Sequence, residues 1–218
     1  MKKILLFTAL IVSVNLAGQD FRIGINFDPV MSWFSPNSKT IEGAGAKLGF
    51  NGGLMLETTF RHNYVFASGI DLTYLGGNLL YDSLTIITVD KDADKTLLPN
   101  TTVEYTLQYL SIPLSLKLKT NPIGYISYYG QIGLTPQFNI SAKATSDNGN
   151  KLDNDNVNKE IGLLNLSFFI GGGIEYDLGG TTALNIGIFY NNGFIDLLAD
   201  KDYKAALNYV NLRLGVLF

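Results

Sequence analysis

Apolar and polar residues alternate with a period of two along most of this chain. In the segment 109–119, Leu110, Ile112, Leu114, Leu116 and Leu118 fall on one side. Tyr109, Ser111, Pro113, Ser115, Lys117 and Lys119 fall on the other. The segment 161–178 sets Leu166, Phe168, Ile170, Ile174, Tyr176 and Leu178 against Asn165, Ser167, Phe169, Gly171, Gly173, Glu175 and Asp177. The next segment repeats the pattern, with Leu184, Ile186, Ile188 and Tyr190 opposite Asn185, Gly187, Phe189 and Asn191. At the end of the chain Val210, Leu212, Leu214, Val216 and Phe218 share one face. Period-two alternation is the mark of strands with two unlike faces. Eight strands are predicted, at about 21–35, 46–60, 64–79, 103–119, 125–140, 161–178, 181–194 and 206–218.

The connections alternate in length. Arg61-His62-Asn63, the segment 120–124 and Gly179-Gly180 read as tight turns, because Gly, Asn and Pro supply the backbone angles that turns need. Residues 36–45, 80–102, 141–160 and 195–205 read as long polar loops. Short turns at one end and long loops at the other predict an all-β fold, an eight-stranded antiparallel up-and-down transmembrane β-barrel over residues 19–218. Residues 1–18 read as a signal peptide: a basic Met1-Lys2-Lys3, an apolar run from Ile4 to Leu16, then the small Ala17-Gly18, with cleavage expected after Gly18 or Gln19. That run of roughly 13 residues is too short for a helix that needs about 20 to span a bilayer.

Alternation alone does not say which face is outside. A soluble lipocalin-like barrel would turn its apolar face inward around a hydrophobic ligand. Three features favour an apolar exterior. The polar face is rich in Gly, Ser and Asn with a few large residues such as Phe169 and Phe189, a mixture suited to a narrow lumen that side chains fill. Aromatics on the apolar face collect at two heights, with Phe21, Phe60, Tyr64, Tyr176 and Phe218 near the turns and Trp33, Tyr74, Phe138 and Tyr190 near the loops, as two membrane interfaces require. The outward residues 110–118 cover roughly 27 Å at about 3.3 Å per residue, near 20 Å after a tilt of about 40°.

Composition adds to this picture. Only 16% of the residues are charged, 12% are aromatic, and there are 23 glycines. A soluble exterior usually carries about a quarter charged residues. There is no cysteine, which leaves neither a disulfide framework nor a lipid-anchoring thiol. The 16 basic and 19 acidic residues make the chain mildly acidic, which argues against nucleic acid as a partner. Beyond residue 18 no long apolar helix is readable, and a membrane protein without one must close its backbone hydrogen bonds in a barrel. These features predict an outer-membrane location with termini and turns in the periplasm and the four long loops facing outward.

Six charged residues fall on inward positions: Arg22, Glu57, Asp71, Lys117, Glu175 and Arg213. Unpaired, they would be costly in a narrow lumen, so they are expected to pair into a network that plugs the barrel. A gate or a proton path is the alternative. Neither cofactor nor metal is expected. The acid-rich run at 147–156 fails the EF-hand spacing, with Leu152 or Asn158 where glycine should stand. Asp90, Asp92 and Asp94 alternate with Lys91 and Lys95 and read as solvated. His62, the one histidine, sits in a turn on the periplasmic side, so an enzyme with an outer-leaflet catalytic His is not expected. Gly171-Gly172-Gly173 lies mid-strand with no helix after it, and reads as close packing at a barrel wall rather than a phosphate cradle.

Three stretches resemble the PorT-type family of outer-membrane β-barrel proteins. The segment 109–119, Tyr-Leu-Ser-Ile-Pro-Leu-Ser-Leu-Lys-Leu-Lys, is similar to that family's "YL-IPL-LK-K" strand. Tyr129-Gly130-Gln131-Ile132-Gly133-Leu134 and Phe169-Ile170-Gly171-Gly172-Gly173-Ile174-Glu175-Tyr176 resemble its following strand and its "G-G-EY" strand. The resemblance implies a small porin-family barrel, and its named member serves a protein-secretion system. The final strand, ending on Phe218, also resembles the assembly signal of outer-membrane barrels. The expected partners are therefore outer-membrane lipid and lipopolysaccharide, the barrel-assembly machinery and secretion-system components. The expected role is a scaffold acting through its loops in envelope structure, adhesion or secretion, with a narrow solute pore as a further alternative.

Overall fold

The computed structural model describes residues 20–38, 40–90, 92–146, 152–198 and 204–218. The expected signal peptide and residues 147–151 of the acid-rich run lie outside these. Twelve strands are present among the described residues. The wall is made of β1 (Asp20–Pro36), β2 (Ile41–Arg61), β3 (Tyr64–Tyr81), β6 (Thr101–Ser111), β7 (Leu114–Lys119), β8 (Ile126–Ser146), β10 (Leu164–Gly179), β11 (Thr182–Gly193) and β12 (Ala205–Leu217). Two short strands, β4 (Thr85–Ile87) and β5 (Lys95–Leu97), form a separate hairpin, and β9 (Asp155–Asn156) adds to the end of β8. No helix among the described residues is long and apolar enough to cross a membrane.

Each wall strand pairs antiparallel with its chain neighbour, and β12 pairs with β1. β6 and β7 pair on one side with β3 and on the other with β8. They are one wall strand interrupted at Ile112 and Pro113. Proline has no N–H for the ladder, while the Ile112 N–H still reaches the Pro136 carbonyl at 3.0 Å. The ring therefore has eight strands and no free edge, so its backbone polar groups are satisfied internally. At the β10–β11 turn Gly179 and Gly180 have φ of 102° and 68°, angles that a side chain would strain.

The apolar face of the turn-side wall points outward. Phe21, Ile23, Ile25 and Phe27 of β1, Ile70 of β3, Leu114, Leu116 and Leu118 of β7 and Ile188 of β11 are all exposed. This is the reverse of the lipocalin arrangement.

On the loop side the wall continues further than the alternation suggested, and its polarity reverses. β2 begins at Ile41 rather than near 46, and β8 runs to Ser146 rather than ending near 140. A bulge on β8 explains the second difference. Gln108 of β6 faces Ser141 while Tyr109 faces Asn139, which leaves Ile140 unopposed. The extra residue shifts the inward positions from odd numbers, such as Gln131 and Gln137, to even ones, Ala142 and Ala144. A single period-two reading cannot cross such a site.

The regions expected to be long polar loops need correction. Ile87, Val89 and Leu97 of the β4–β5 region are buried, as are Leu152, Val157, Leu197 and Leu198, and so is Ile161, expected to open a strand that in fact begins at Leu164. Together with Val30, Phe34, Ile41, Leu75, Leu79, Tyr81, Val103, Tyr105, Leu107 and Tyr109 they form one apolar core inside the loop-side half of the barrel. Asp90, read as solvated, accepts hydrogen bonds from the Asn158 side chain at 2.9 Å and the Lys159 N–H at 3.3 Å. Asp92 and Asp94 are exposed.

Candidate functional site

The lumen is stacked in layers from the turns upward. The lowest layer is an ion cluster. The register of β1 on β2 sets Arg22 opposite Glu57, and parity carries Lys117 of β7 and Glu175 of β10 to the same height. Arg22 Nη2 donates to Glu57 Oε2 at 2.6 Å and to Glu175 Oε2 at 3.1 Å. Lys117 Nζ donates to Glu57 Oε1 at 2.6 Å and also pairs with Glu175. Lys119, two residues on, pairs with Glu175 as well. Charge-assisted bonds of this kind are short and strong, which is what offsets the desolvation of buried ions.

Above the cluster lies an aromatic layer of Tyr129, Phe169 and Phe189. The Lys117 ammonium sits 4.2 Å from the Tyr129 ring centre, and the Arg213 guanidinium 4.6 Å from that of Phe189. The glycines of the wall make room for these rings. A methyl group on Gly173 would come within 2.7 Å of the Tyr129 hydroxyl, and one on Gly133 within 2.9 Å of the Phe169 ring. This gives Gly173 its place in the Gly171-Gly172-Gly173 run.

The next layer is a second polar group around Asp28. Its Oδ2 accepts from Asn211 at 2.9 Å, Asn51 at 3.1 Å and Arg213 Nε at 3.4 Å. Asn51 also donates to Asp71 at 3.3 Å and accepts from Thr73 at 2.9 Å. Thr73 meets Ser111 at 2.8 Å, and Asn165 donates to Gln137 at 2.8 Å. The apolar core lies above this layer.

The six inward charges expected from the sequence therefore lie in two groups rather than one. Arg22, Glu57, Lys117 and Glu175 are together, whereas Arg213 bonds to Asp28 and Asp71 to Asn51 in the second group, with one small void lined by Glu57, Asp71 and Arg213 between the two. Lys119 and Asp28 were missed, although both were legible: Lys119 has the parity of Lys117, and Asp28 that of Arg22. With them the lumen holds Arg22, Lys117, Lys119 and Arg213 against Asp28, Glu57, Asp71 and Glu175.

On the outside, Phe21, Phe60, Tyr64, Tyr176 and Phe218 project around the turn end, with Phe60 and Tyr64 ring centres 6.1 Å apart. Trp33, Tyr74, Phe138 and Tyr190 project at the height where the wall becomes polar, and Trp33 lies 6.4 Å from Tyr190. Leu212, Leu214 and Phe218 are exposed on the outer face of the last strand, with Val210 and Val216 half-buried beside them.

Space in the lumen is unevenly distributed. Two interior voids, beside Arg213 and Asp71, measure about 20 and 10 Å³, about the room of one water each. The large cavity, about 720 Å³, opens at the turn end and is bounded by Arg22, Lys119, Glu175, His62, Asn121 and Tyr125 among others. His62 Nε2 and Asn121 Oδ1 are 3.1 Å apart across its rim.

Known proteins can be set beside this geometry. The family model described as "Outer membrane protein beta-barrel domain" matches residues 17–199. No curated protein sequence matches the chain. Among solved structures, Neisserial surface protein A is similar with a TM-score of 0.53 at 14% identity, over 92% of this chain and 97% of that one. OprG from Pseudomonas aeruginosa aligns at 13% identity and a TM-score of 0.48, over 93% of this chain and 96% of that one. Ail, the attachment invasion locus protein of Yersinia pestis, solved with the heparin analogue sucrose octasulfate, aligns at 14% identity and a TM-score of 0.43, over 91% of this chain and 99% of that one. At these identities the likeness to Neisserial surface protein A is one of fold.

Proposed function

The chain belongs to the outer membrane protein beta-barrel domain family, and from that premise we propose that it is a closed outer-membrane scaffold acting through its capped outer end rather than by conducting solutes. The observation that carries this reading is the filling of the lumen. The ion cluster, the aromatic trio and the apolar core succeed one another along the axis, and the voids between them hold about one water each. Eight strands enclose an interior that side chains just fill.

In this reading the turns and both ends of the mature chain face the periplasm, and the β4–β5 hairpin, β9 and the segments around Ile161 and Leu197 form a rigid outer head. The head would support envelope structure or adhesion, with lipopolysaccharide around the wall and the barrel-assembly machinery reading the final strand. The 109–119 motif, similar to that of PorT-type barrels, supports a narrower role as an accessory to protein secretion. Nothing in this reading calls for catalysis.

Planar-bilayer recording of the refolded chain tests the closed lumen. Quiet membranes are expected, and large steady single-channel currents would overturn the reading. Protease treatment of intact cells tests the orientation. Cleavage is expected at the exposed residues 92–94 of the β4–β5 hairpin and not at the turn 61–63.

A further inference from the structure

The cavity at the turn end has a charged inner surface, with Arg22 and Lys119 set against Glu175 and, at the rim, Asp177. Among the described residues its ion cluster joins three cations, Arg22, Lys117 and Lys119, to two carboxylates, Glu57 and Glu175. Asp71 and Arg213 belong to the separate group around Asp28. Burial sorts the lower charges further. The carboxylate side chains are 4% exposed and Lys117 is wholly buried, whereas the Arg22 and Lys119 side chains are each 19% exposed. The accessible part of the cluster is cationic.

Arg22 also lines the cavity with donors left over. All three hydrogen bonds of Arg22 leave from Nη2. Its Nη1 and Nε have no partner among the described residues, and neither is a buried, unsatisfied atom. A guanidinium holds five donors in a fixed fork that matches an oxyanion. Lys119 uses its ammonium on Glu175 alone. Around these two cations the wall is neutral and hydroxyl-rich, with Thr59, Thr120, Ser127 and Thr182. One acid, Asp177, stands at the rim, and its Oδ1 accepts from the Gly179 N–H at 2.7 Å. A volume of about 720 Å³ suits a small-molecule ligand.

We propose that this mouth is an oxyanion-binding site, in which Arg22 and Lys119 receive a phosphate or carboxylate group of a small ligand entering from the turn side. The bound anion shares Arg22 and Lys119 with Glu175, so binding and the stability of the ion cluster are coupled. The site is defined by the turn-side mouth, whichever compartment that mouth faces, so it stands or falls separately from the closed-scaffold reading.

The full chain, refolded in micelles, is titrated by NMR with inorganic phosphate and, separately, with acetate, against sodium chloride at matched ionic strength. Saturable amide shifts confined to residues around Ser127, Glu175 and Thr182 are expected with phosphate, and weaker ones with acetate. Lys119→Gln is expected to weaken phosphate binding at least tenfold, and Asp177→Asn, which removes only the rim acid, to tighten it. Saturation by phosphate alone assigns the site to phosphate-bearing ligands, and saturation by both assigns it to oxyanions in general. Shifts no larger than those from chloride, or affinity unchanged in Lys119→Gln, would overturn the proposal.

Discussion

The two halves of one wall strand obey opposite rules. In β7, on the turn side, Leu114, Leu116 and Leu118 face outward and are exposed, while Ser115 and Lys117 face inward and are buried. In β6, only a few residues away, Val103, Tyr105, Leu107 and Tyr109 face inward and are buried, while Thr102 and Glu104 are exposed outside. The backbone period is the same in both halves, and the polarity is inverted. The solvent explains the difference. Lipid around the turn-side half rewards an apolar exterior and forces polar groups into the lumen, where they must find one another. Water around the loop-side half restores the ordinary rule, and the interior becomes an apolar core covered by the β4–β5 hairpin and by Leu152, Val157, Leu197 and Leu198. This chain is a membrane barrel below and a soluble barrel above, built from continuous strands.

The comparison breaks most sharply at Lys117. Lys117→Met leaves Glu57 and Glu175 with one buried partner fewer. A loss of about 3–5 kcal/mol in urea unfolding of the refolded barrel is expected. An unchanged midpoint would mean that the lower half is not held by paired charge. Its counterpart above is Leu107→Ala, which opens a cavity in the apolar core at a cost of about 2–5 kcal/mol. Its signature is regional: faster amide exchange in the β4–β5 hairpin with the turn-side strands unchanged. If exchange rose equally throughout, the two halves would be one cooperative unit.

A matched pair of outward substitutions sharpens the contrast in solvent. Leu114→Arg is expected to cost about 2–4 kcal/mol, because it places a charge in the apolar band. Thr102→Arg, outward on the same wall strand, is expected to stay within about 0.5 kcal/mol. Folding yield in lipid vesicles reads both. Ser115→Arg, one residue from Leu114, acts differently, overfilling the lumen at a cost of about 1–3 kcal/mol.

The smallest effect concerns the outer head alone. Lys95 Nζ donates to Asp155 Oδ2 at 2.6 Å, and this bond holds the Asp155 carboxyl below its ordinary range. A carboxylate with a depressed folded value contributes stability above its unfolded value of about 4 and loses it as pH falls through the lower one. The tie between the hairpin and β9 is therefore intact at neutral pH and lost only in strong acid. Asp155→Asn is expected to abolish this acid-dependent rise in exchange around Lys95. A rise at neutral pH in the unmodified chain would contradict the assignment.

Much of the turn-side half was legible in the chain. Its outward face is a mostly apolar alternation, and the parity of Arg22, Glu57, Lys117 and Glu175 places them all in the lumen. Distance from the turns already set Asp71 higher than Glu57, but which charges meet, and that Arg213 joins Asp28 rather than the lower cluster, took the register and the side-chain contacts. The loop-side half was misread for a different reason. Its core residues, Ile87, Val89, Leu97, Leu152 and Val157, stand alone or in short runs flanked by Asp, Asn, Lys and Thr, and only three of them fall in short strands or beside them. Local pattern reading sees such stretches as polar loops, because the partners that bury each apolar side chain come from distant parts of the chain.

By itself the sequence determined the strands, their alternation, the order of short and long connections and the placing of charge on the inner face, because each of these is a local property of neighbouring residues. Only the tertiary structure decided where the polarity inverts, which charges meet, and that the loops close over a core. Those outcomes depend on ring closure, on the shift at Ile140 and on contacts between residues far apart in the chain, and no periodicity in a single strand encodes them.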